Sequence, residues 1–309
     1  MEKALETSND FKFIATNDLP GAAAGIAQIL ADRGELTEGS YAAVCMTGGG
    51  CGIADIKVKN GQLEIEASEG GHNRALRNPS LSLEQEGASA PALIENFAKE
   101  LGFSEEEIKA LKSTGMAKLV LKRDLKVTKG ENGTRSEKEE AILRTGLFEQ
   151  LEDVVDTDDL GHERTRSVFR LKDVKKKDYK QASISAVNKY IDAISQLTAN
   201  KVNQGLNLMV LTGPLATRIR DFVADNQDAF DGKTLAELVQ SKTASYLDDS
   251  GRDMAETYNF KVVCDEQFEL KDNTAGGKVL LAGEIIDPEH RGNWIIVPVE
   301  ALKEKVVRY

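Results

Sequence analysis

Three strand-like runs joined by two glycine-containing turns follow one another in the amino-terminal part of the chain. Tyr41 to Met46 is a compact β-rich run that leads into Thr47-Gly-Gly-Gly-Cys-Gly. Ile53 to Lys59 and Gln62 to Glu66 then alternate apolar with polar residues, which is the period of a half-buried strand. Asn60-Gly61 joins these two runs, and this dipeptide favours a hairpin because both turn positions need φ above zero. The pattern predicts three adjacent strands, with the glycine run at the first turn.

Helical patterns alternate with further strand-like runs along the chain. The predicted helices are 19–30, 91–101, a run that begins with the capping-box residues Ser104 to Glu107, 181–203 and 215–223. The other strand-like runs are 11–16, 206–211, 259–264, 279–286 and 294–299. Strands alternating with helices predict an α/β fold rather than an all-α or all-β one.

Charged residues are concentrated between residues 122 and 180. We predict an exposed loop or insertion over 122–140, because this stretch is charged and contains glycine and asparagine. The acidic run 149–159 and the basic run 172–180 are predicted to be solvated faces, since runs of charge are seldom buried.

The overall charge limits the classes of partner. With 51 acidic against 40 basic residues the net charge is −11, which repels nucleic-acid backbones and anionic lipid surfaces. Apolar runs such as Ala42 to Met46 fall far short of the roughly 20 residues that a membrane-spanning helix needs. The start of the chain has neither a basic nor an apolar signal region, so we expect a cytoplasmic protein. No nucleic-acid or membrane partner is expected, and homodimer formation stays open.

Three cysteines, Cys45, Cys51 and Cys264, are an odd number without a Cys-x-x-Cys spacing. This spacing argues against a disulfide framework and against a thiolate zinc site. We therefore expect reduced thiols and no metal ligands among them.

Residues of four segments have the chemistry of a ligand site, and each also has a structural interpretation. The glycine run is either a cradle of backbone amides for phosphate or a hairpin bend, and it matches neither the P-loop nor the dinucleotide fingerprint. Asp18 follows a strand-like run and is either a general base or a helix N-cap. Glu69 and His72, separated by two glycines, can converge on one ligand, whereas the alternative is that His72 is a structural or exposed histidine, as lone histidines usually are. Thr212-Gly213-Pro214 ends a strand before a helix, where α/β folds favour ligands and tight turns alike.

The order of these segments resembles the bacterial glucokinases and related sugar kinases of the actin-like ATPase superfamily. The resemblance is best over residues 11–78 and returns near 181–224. It implies an α/β fold of the actin-like ATPase, ribonuclease H-like kind, with mixed sheets and flanking helices. It also implies a small-lobe remnant over 1–36 that carries the Asn-Asp pair, and a large α/β domain over 37–309 with a charged insertion at about 122–180.

The resemblance also implies residue roles. In the family the aspartate of the Asn-Asp pair deprotonates the sugar hydroxyl, so this role falls to Asp18. The implied sugar-binding residues are Asn17, Glu69 and His72. The implied phosphate-binding residues are Thr47, Gly48, Gly49, Gly50 and Gly52, and the implied adenosine-binding residues are Thr212 and Gly213. The implied activity is phosphorylation of glucose or a similar sugar on its 6-hydroxyl by ATP with Mg²⁺.

The sequence departs from the family pattern in three places. The family begins with an Asp-x-Gly-Gly-Thr phosphate loop, whereas only 16 residues precede Asn17, so we expect the amino-terminal lobe to be incomplete. The usual Gly-Thr-Gly-x-Gly turn has glycine in place of its threonine. Related sugar kinases of the repressor group have a zinc-binding cysteine cluster after the histidine, whereas residues 73–90 here lack cysteine. No structural zinc is therefore expected, which fits the glucokinase branch better.

Two hypotheses therefore stand, a hexose kinase and a catalytically silent or truncated sugar-binding protein of the same fold. A dinucleotide enzyme is disfavoured because a strand, not a helix, follows the glycines. A DNA-binding repressor is disfavoured by the acidic balance and by the lack of an amino-terminal helix-turn-helix pattern.

Overall fold

The computed structural model describes residues 12–14, 18–60, 62–69, 86–130, 133–157, 163–248, 259–264 and 294–296. The strands are β1 (Lys12–Ile14), β2 (Tyr41–Thr47), β3 (Cys51–Lys59), β4 (Gln62–Glu69), β5 (Leu125–Thr128), β6 (Phe148–Thr157), β7 (Glu163–Leu171), β8 (Leu208–Thr212), β9 (Lys261–Cys264) and β10 (Trp294–Ile296). The helices are α1 (Asp18–Asp32), α2 (Ala90–Glu100), α3 (Glu105–Ser113), α4 (Lys118–Leu121), α5 (Glu137–Arg144), α6 (Lys176–Val202), α7 (Pro214–Asp225) and α8 (Leu235–Asp248).

A five-stranded mixed sheet carries the glycine turn. Its strand order is β4-β3-β2-β8-β9, with β2, β3 and β4 antiparallel and with β8 and β9 parallel to β2. The predicted hairpin is confirmed, and Asn60 at its turn has a φ of 54°. Three antiparallel strands extended by two parallel ones form the ribonuclease H-like sheet that the resemblance implied. Separately, β1 pairs in parallel with β10.

Both faces of the five-stranded sheet are covered by helices. Successive residues of β2 alternate between two cores, because neighbouring side chains of a strand point to opposite faces. Ala42 and Val44 pack on one face with residues of α1, including Ile26. Ala43 and Cys45 pack on the other face, in the larger core that α2, α6, α7 and α8 complete. The mixed α/β fold is thus confirmed, while the domain division at residue 36 stays a prediction.

The charged region folds into a second sheet, so the predicted loop over 122–140 is wrong in part. That stretch contains β5 and the start of α5, and the sheet has the antiparallel order β5-β7-β6. Apolar residues of β5 alternate with exposed ones and join the larger core. The acidic run lies on β6, an edge strand whose side chains are mostly exposed, as expected. Cross-strand ion pairs such as Arg166–Asp156, at 3.2 Å, balance part of its charge.

Helix boundaries follow their capping residues. Ser104 and Glu107 cap α3 reciprocally, which confirms the predicted capping box. Helix α8 was not predicted, although Thr234 and Glu237 form the same kind of contacts at its start, with Thr234 N donating to Glu237 Oε2 at 2.8 Å. The strand-like run 279–286 lies outside the described residues. None of the helices in the described ranges combines the length and apolar character needed to cross a membrane.

Candidate functional site

The glycine turn lies at the carboxyl end of β2. Its backbone closes on itself, since Gly48 N donates to Gly50 O at 2.8 Å, and Thr47 pairs with Cys51 across the hairpin. Gly48 O accepts a hydrogen bond from Ala90 N at 2.9 Å. The turn is therefore in direct contact with the first residue of α2.

Gly213 lies against the same turn, although it is distant in sequence. Parallel pairing of β2 with β8 places Thr212 opposite Met46. Gly213 has a φ of +98°, and a Cβ built on it would lie 2.4 Å from Thr47 O and 2.9 Å from Thr47 N. Only a residue without a side chain permits this approach. The segments with predicted phosphate and adenosine roles thus meet at one edge of the sheet.

Two helices begin at this edge. Helix α2 starts at Ala90, next to Gly48, and α7 starts at Pro214, directly after Gly213. The amino-terminal end of a helix carries partial positive charge and free backbone N–H groups, which favour anions. The N-cap position of α7 is Gly213, which makes no side-chain cap hydrogen bond. At the start of α2 two of these groups are already bonded, since Ala90 N donates to Gly48 O and Ala92 N donates to Ser89 Oγ at 3.4 Å.

Tyr190 contacts Thr47, the residue at which the glycine turn begins. The sequence analysis did not identify Tyr190 as a site residue. Its hydroxyl is 2.8 Å from Thr47 Oγ1, and both side chains are buried. Burial raises the pKa of the Tyr190 phenol well above its usual value, so the phenol stays neutral. Thr47 and Tyr190 thus form a buried pair of neutral hydroxyls at the start of the glycine turn. In the sequence Tyr190 is one more apolar position of the long helix, so no local signal distinguishes it.

We expect Tyr190→Phe to lower the free energy of unfolding by about 2 kcal/mol, because it leaves the Thr47 hydroxyl buried without a partner. Urea unfolding measures the change. The double variant Tyr190→Phe/Thr47→Val removes both hydroxyls, so its loss should be clearly smaller than the sum of the two single losses. Strictly additive losses would contradict a coupled pair.

The three cysteines are free and buried, as expected. Cys45 and Cys51 lie on either side of the glycine turn with their Sγ atoms 3.6 Å apart. The hydrogen bond with Cys45, followed by burial, raises the pKa of the Cys51 thiol. A protonated thiol is a poor nucleophile and a poor metal ligand, so Cys51 has a packing role.

The predicted sugar-binding residues are only partly described. Glu69 is the last residue of β4, and its backbone pairs with Gly52 of the glycine turn. Helix α1 begins at Asp18, which confirms the predicted start of a helix there. Asn17 and His72 lie outside the described residues. The catalytic and sugar-binding roles of these four residues stay predictions.

No family model and no curated protein matches the chain. Solved structures similar to it include a glucokinase from Balamuthia mandrillaris in complex with glucose, with a TM-score of 0.42, 12% identity and coverage of 86% of this chain and 64% of that one. A ROK family glucokinase from Streptomyces griseus in complex with glucose and AMPPNP has a TM-score of 0.40, 12% identity and coverage of 88% and 67%.

A third similar structure is a ROK family protein from Streptococcus pneumoniae TIGR4 in complex with sucrose, with a TM-score of 0.36, 13% identity and coverage of 86% and 64%. The chain thus spans about two thirds of the length of these proteins or slightly less. With TM-scores below 0.5, this likeness assigns no activity, substrate or site residue to the chain. The structural neighbours of this mixed α/β chain thus include two glucokinases, one of them of the ROK family, and a further ROK family protein.

Proposed function

We propose that this chain is an ATP-dependent hexose kinase of the glucokinase type, which phosphorylates glucose or a similar sugar on its 6-hydroxyl. The observation that carries the proposal is the contact of Gly213 with Thr47. Two segments that the sequence motifs associate with one nucleotide, and that lie far apart in the chain, come together where two helices begin. Convergence of this kind supports a common ligand for both segments.

The phosphate side of the site would work through positioning and charge. Backbone N–H groups of Gly49 and Gly50 would donate to phosphate oxygens, and the amino-terminal ends of α2 and α7 would add positive potential. Gly52, for which the resemblance implied the same role, pairs with Met46 and Glu69 within the sheet. The described residues contain no group of three or more His, Cys, Asp and Glu side chains that could hold a metal ion. Mg²⁺ bound with the nucleotide would neutralise part of the charge of its phosphates.

The sugar side of the site rests on the residues that the resemblance implies. Asp18 would accept the proton of the attacking hydroxyl, and Asn17, Glu69 and His72 would hold the other hydroxyls. The pairing of Glu69 with Gly52 supports this arrangement, because it puts the end of β4 beside the phosphate turn. A sugar held there would present a hydroxyl close to the transferable phosphate, which is the main requirement of phosphoryl transfer.

A catalytically silent or truncated sugar-binding or regulatory protein is the second candidate. The observation that favours it is the buried hydrogen bond of Thr47 with Tyr190, since that hydroxyl is then not available to phosphate. A protein of this kind would keep the sugar pocket and transfer no phosphate. The cytoplasmic location, the lack of nucleic-acid and membrane partners and the open question of a homodimer stay predictions from the sequence.

Two measurements on the purified 309-residue chain separate the candidates. We expect calorimetric titration to show glucose binding, and a coupled assay to show ADP release that requires glucose, Mg²⁺ and ATP together. ADP release without glucose serves as the background. Glucose binding without ADP release would overturn the kinase and favour the sugar-binding protein. The absence of both would contradict both candidates.

A further inference from the structure

One face of α6 contacts both segments that border the glycine turn. The hydroxyl of Tyr190 lies 2.8 Å from Thr47 Oγ1, at the end of β2. Ala193 follows Tyr190 by three residues and therefore lies on the same face of the helix. It packs against Gly87, since a Cβ built on Gly87 would be 3.0 Å from the Cβ of Ala193. Two contacts about 4.5 Å apart along α6 thus join the end of β2 and the segment that precedes α2.

The start of α2 is bound to the glycine turn and to α6 at once. Ala90, its first residue, donates from its backbone N to Gly48 O at 2.9 Å. The ring of Phe97 in α2 lies edge to face against Tyr179, with the ring centroids 5.0 Å apart. Since Tyr179 comes earlier in α6 than Ala193, α2 runs antiparallel along α6 from this start. Helix α6 therefore sets the position of the start of α2 as well as that of the glycine turn.

The hydrogen bond of Tyr190 with Thr47 contributes direction more than stability. An apolar pair, such as phenylalanine with valine, would fill the same volume, and replacing both partners of a buried hydrogen bond in this way is often nearly neutral. A hydrogen bond also requires a particular distance and angle, which restricts the rotamer of the Thr47 side chain. Thr47 is the last residue of β2, so its orientation determines where the backbone of the turn begins.

Gly87 allows the segment before α2 to approach α6 closely. Its φ lies outside the left-handed region, so the backbone conformation does not itself require glycine. The close approach does, because carbon atoms in contact prefer a separation of about 3.5–4.0 Å and an added Cβ would lie 3.0 Å from that of Ala193. Alanine at this position would therefore push the segment before α2 away from the helix.

Small displacements matter at a phosphate site made of backbone donors. The distance between donor and acceptor in such bonds is about 2.7–3.2 Å, so a shift of half an ångström takes a donor out of range. We propose that Tyr190, Ala193 and Gly87 are positioning residues of the phosphate site, which set the spacing between the glycine turn and the amino-terminal end of α2. They act through Thr47 and Ala90 rather than on the phosphate itself. The inference rests on the proposed function, because it takes a nucleotide phosphate as the ligand of the turn.

The affinity for ATP in the absence of sugar tests the role of Tyr190. Calorimetric titration with ATP and Mg²⁺ compares the wild-type chain with Tyr190→Phe and with Tyr179→Phe. The control removes another buried tyrosine hydroxyl from α6, which donates to Leu119 O about 16 Å along the helix from Tyr190. We expect Tyr190→Phe to bind ATP about tenfold more weakly than the wild type, and Tyr179→Phe to bind it equally well. Equal affinities of all three proteins, or no binding of ATP to the wild type, would overturn the proposal.

Unfolding measurements distinguish positioning from a merely structural role. Each of the two variants leaves a buried polar group without its partner, so urea unfolding should show a loss of stability in both. If Tyr190 only stabilised the fold, the folded molecules would keep their affinity and both variants would bind ATP like the wild type. Weaker binding confined to Tyr190→Phe supports the positioning role, and equally weak binding by both variants contradicts it.

Gly87→Ala tests the second contact without any change at Tyr190. The added methyl group should displace the start of α2 and weaken ATP binding severalfold. The double variant Gly87→Ala/Ala193→Gly moves this methyl group from one backbone to the other, so it should restore the affinity, although glycine within α6 lowers stability. Unchanged affinity in Gly87→Ala, or a double variant as weak as the single one, would overturn the proposal. If Tyr190→Phe fails to fold, this pair decides alone.

Turnover separates a failure of this proposal from a failure of the kinase. A chain that binds ATP but releases no ADP with glucose would refute the kinase, while the order of ATP affinities among the variants still supports the positioning role. Glucose-dependent ADP release with unchanged ATP affinities would refute the positioning role and leave the kinase standing. In an active chain, Tyr190→Phe should raise the KM for ATP about tenfold and leave the KM for glucose unchanged.

Discussion

Replacing Gly213 with alanine is expected to lower the free energy of unfolding by about 4 kcal/mol. A non-glycine residue at the φ of +98° costs about 1–3 kcal/mol of backbone strain. The added Cβ would also lie 2.4 and 2.9 Å from two backbone atoms of Thr47, which cannot retreat without weakening the pairing of β2 with β8. Chemical denaturation with urea measures the loss.

Gly205→Ala is the matched control for this prediction. Gly205 has the same φ of +98°, but a Cβ built on it would meet nothing within 4 Å. Its loss should be about 1–3 kcal/mol, which represents the backbone strain alone. The difference between the two variants measures the steric term, and equal losses would show that the chain absorbs the contact at Thr47. In the proposed kinase, a folded Gly213→Ala protein should also bind ATP more weakly, because the glycine turn would have to move.

Local signals account for the parts of the fold that the sequence predicted correctly. The Asn60-Gly61 dipeptide and the alternating runs beside it define the hairpin within residues 53–66. Ser104 and Glu107 mark the start of α3 in the same way. Helix α8 carries a comparable signal at Thr234 and Glu237, so its start is also predictable from the sequence. The second sheet is harder to predict from the sequence, because β6 is an exposed edge strand. Its charged residues obscure the alternation of apolar and polar positions that indicates a strand.

Long-range pairing explains what the sequence did not reveal about the site. The contact of Gly213 with Thr47 requires β8 to lie parallel to β2, and 166 residues separate the two positions. The resemblance placed both segments at one ligand but gave no contact between them. Tyr190 lies on the buried face of α6. In the sequence it occurs at the same helical spacing as the aliphatic residues of that face, so the pattern does not distinguish it from them. Only the packing of α6 under the glycine turn shows that its hydroxyl meets Thr47.

Asp18→Asn is expected to reduce glucose-dependent turnover about a thousandfold, if the proposed kinase is correct. A general base commonly contributes a factor of 10² to 10⁴, and the amide of asparagine cannot take the proton of the sugar hydroxyl. The side chain keeps its shape, so the affinity for glucose measured by calorimetry should change only severalfold. Asparagine is also tolerated well near a helix start, so α1 should still begin there and urea unfolding should change little.

The control for this variant is Asp225→Asn, which makes the same chemical change at an exposed residue at the end of α7. Its turnover should match that of the unmodified chain. A large loss of turnover with little change in the affinity for glucose distinguishes a base from a helix cap. A residue that only caps α1 would affect stability and leave the rate per folded molecule unchanged. An Asp18→Asn protein that keeps more than about a tenth of the turnover would remove Asp18 from the role of base. The base would then have to be sought among the other residues that hold the sugar.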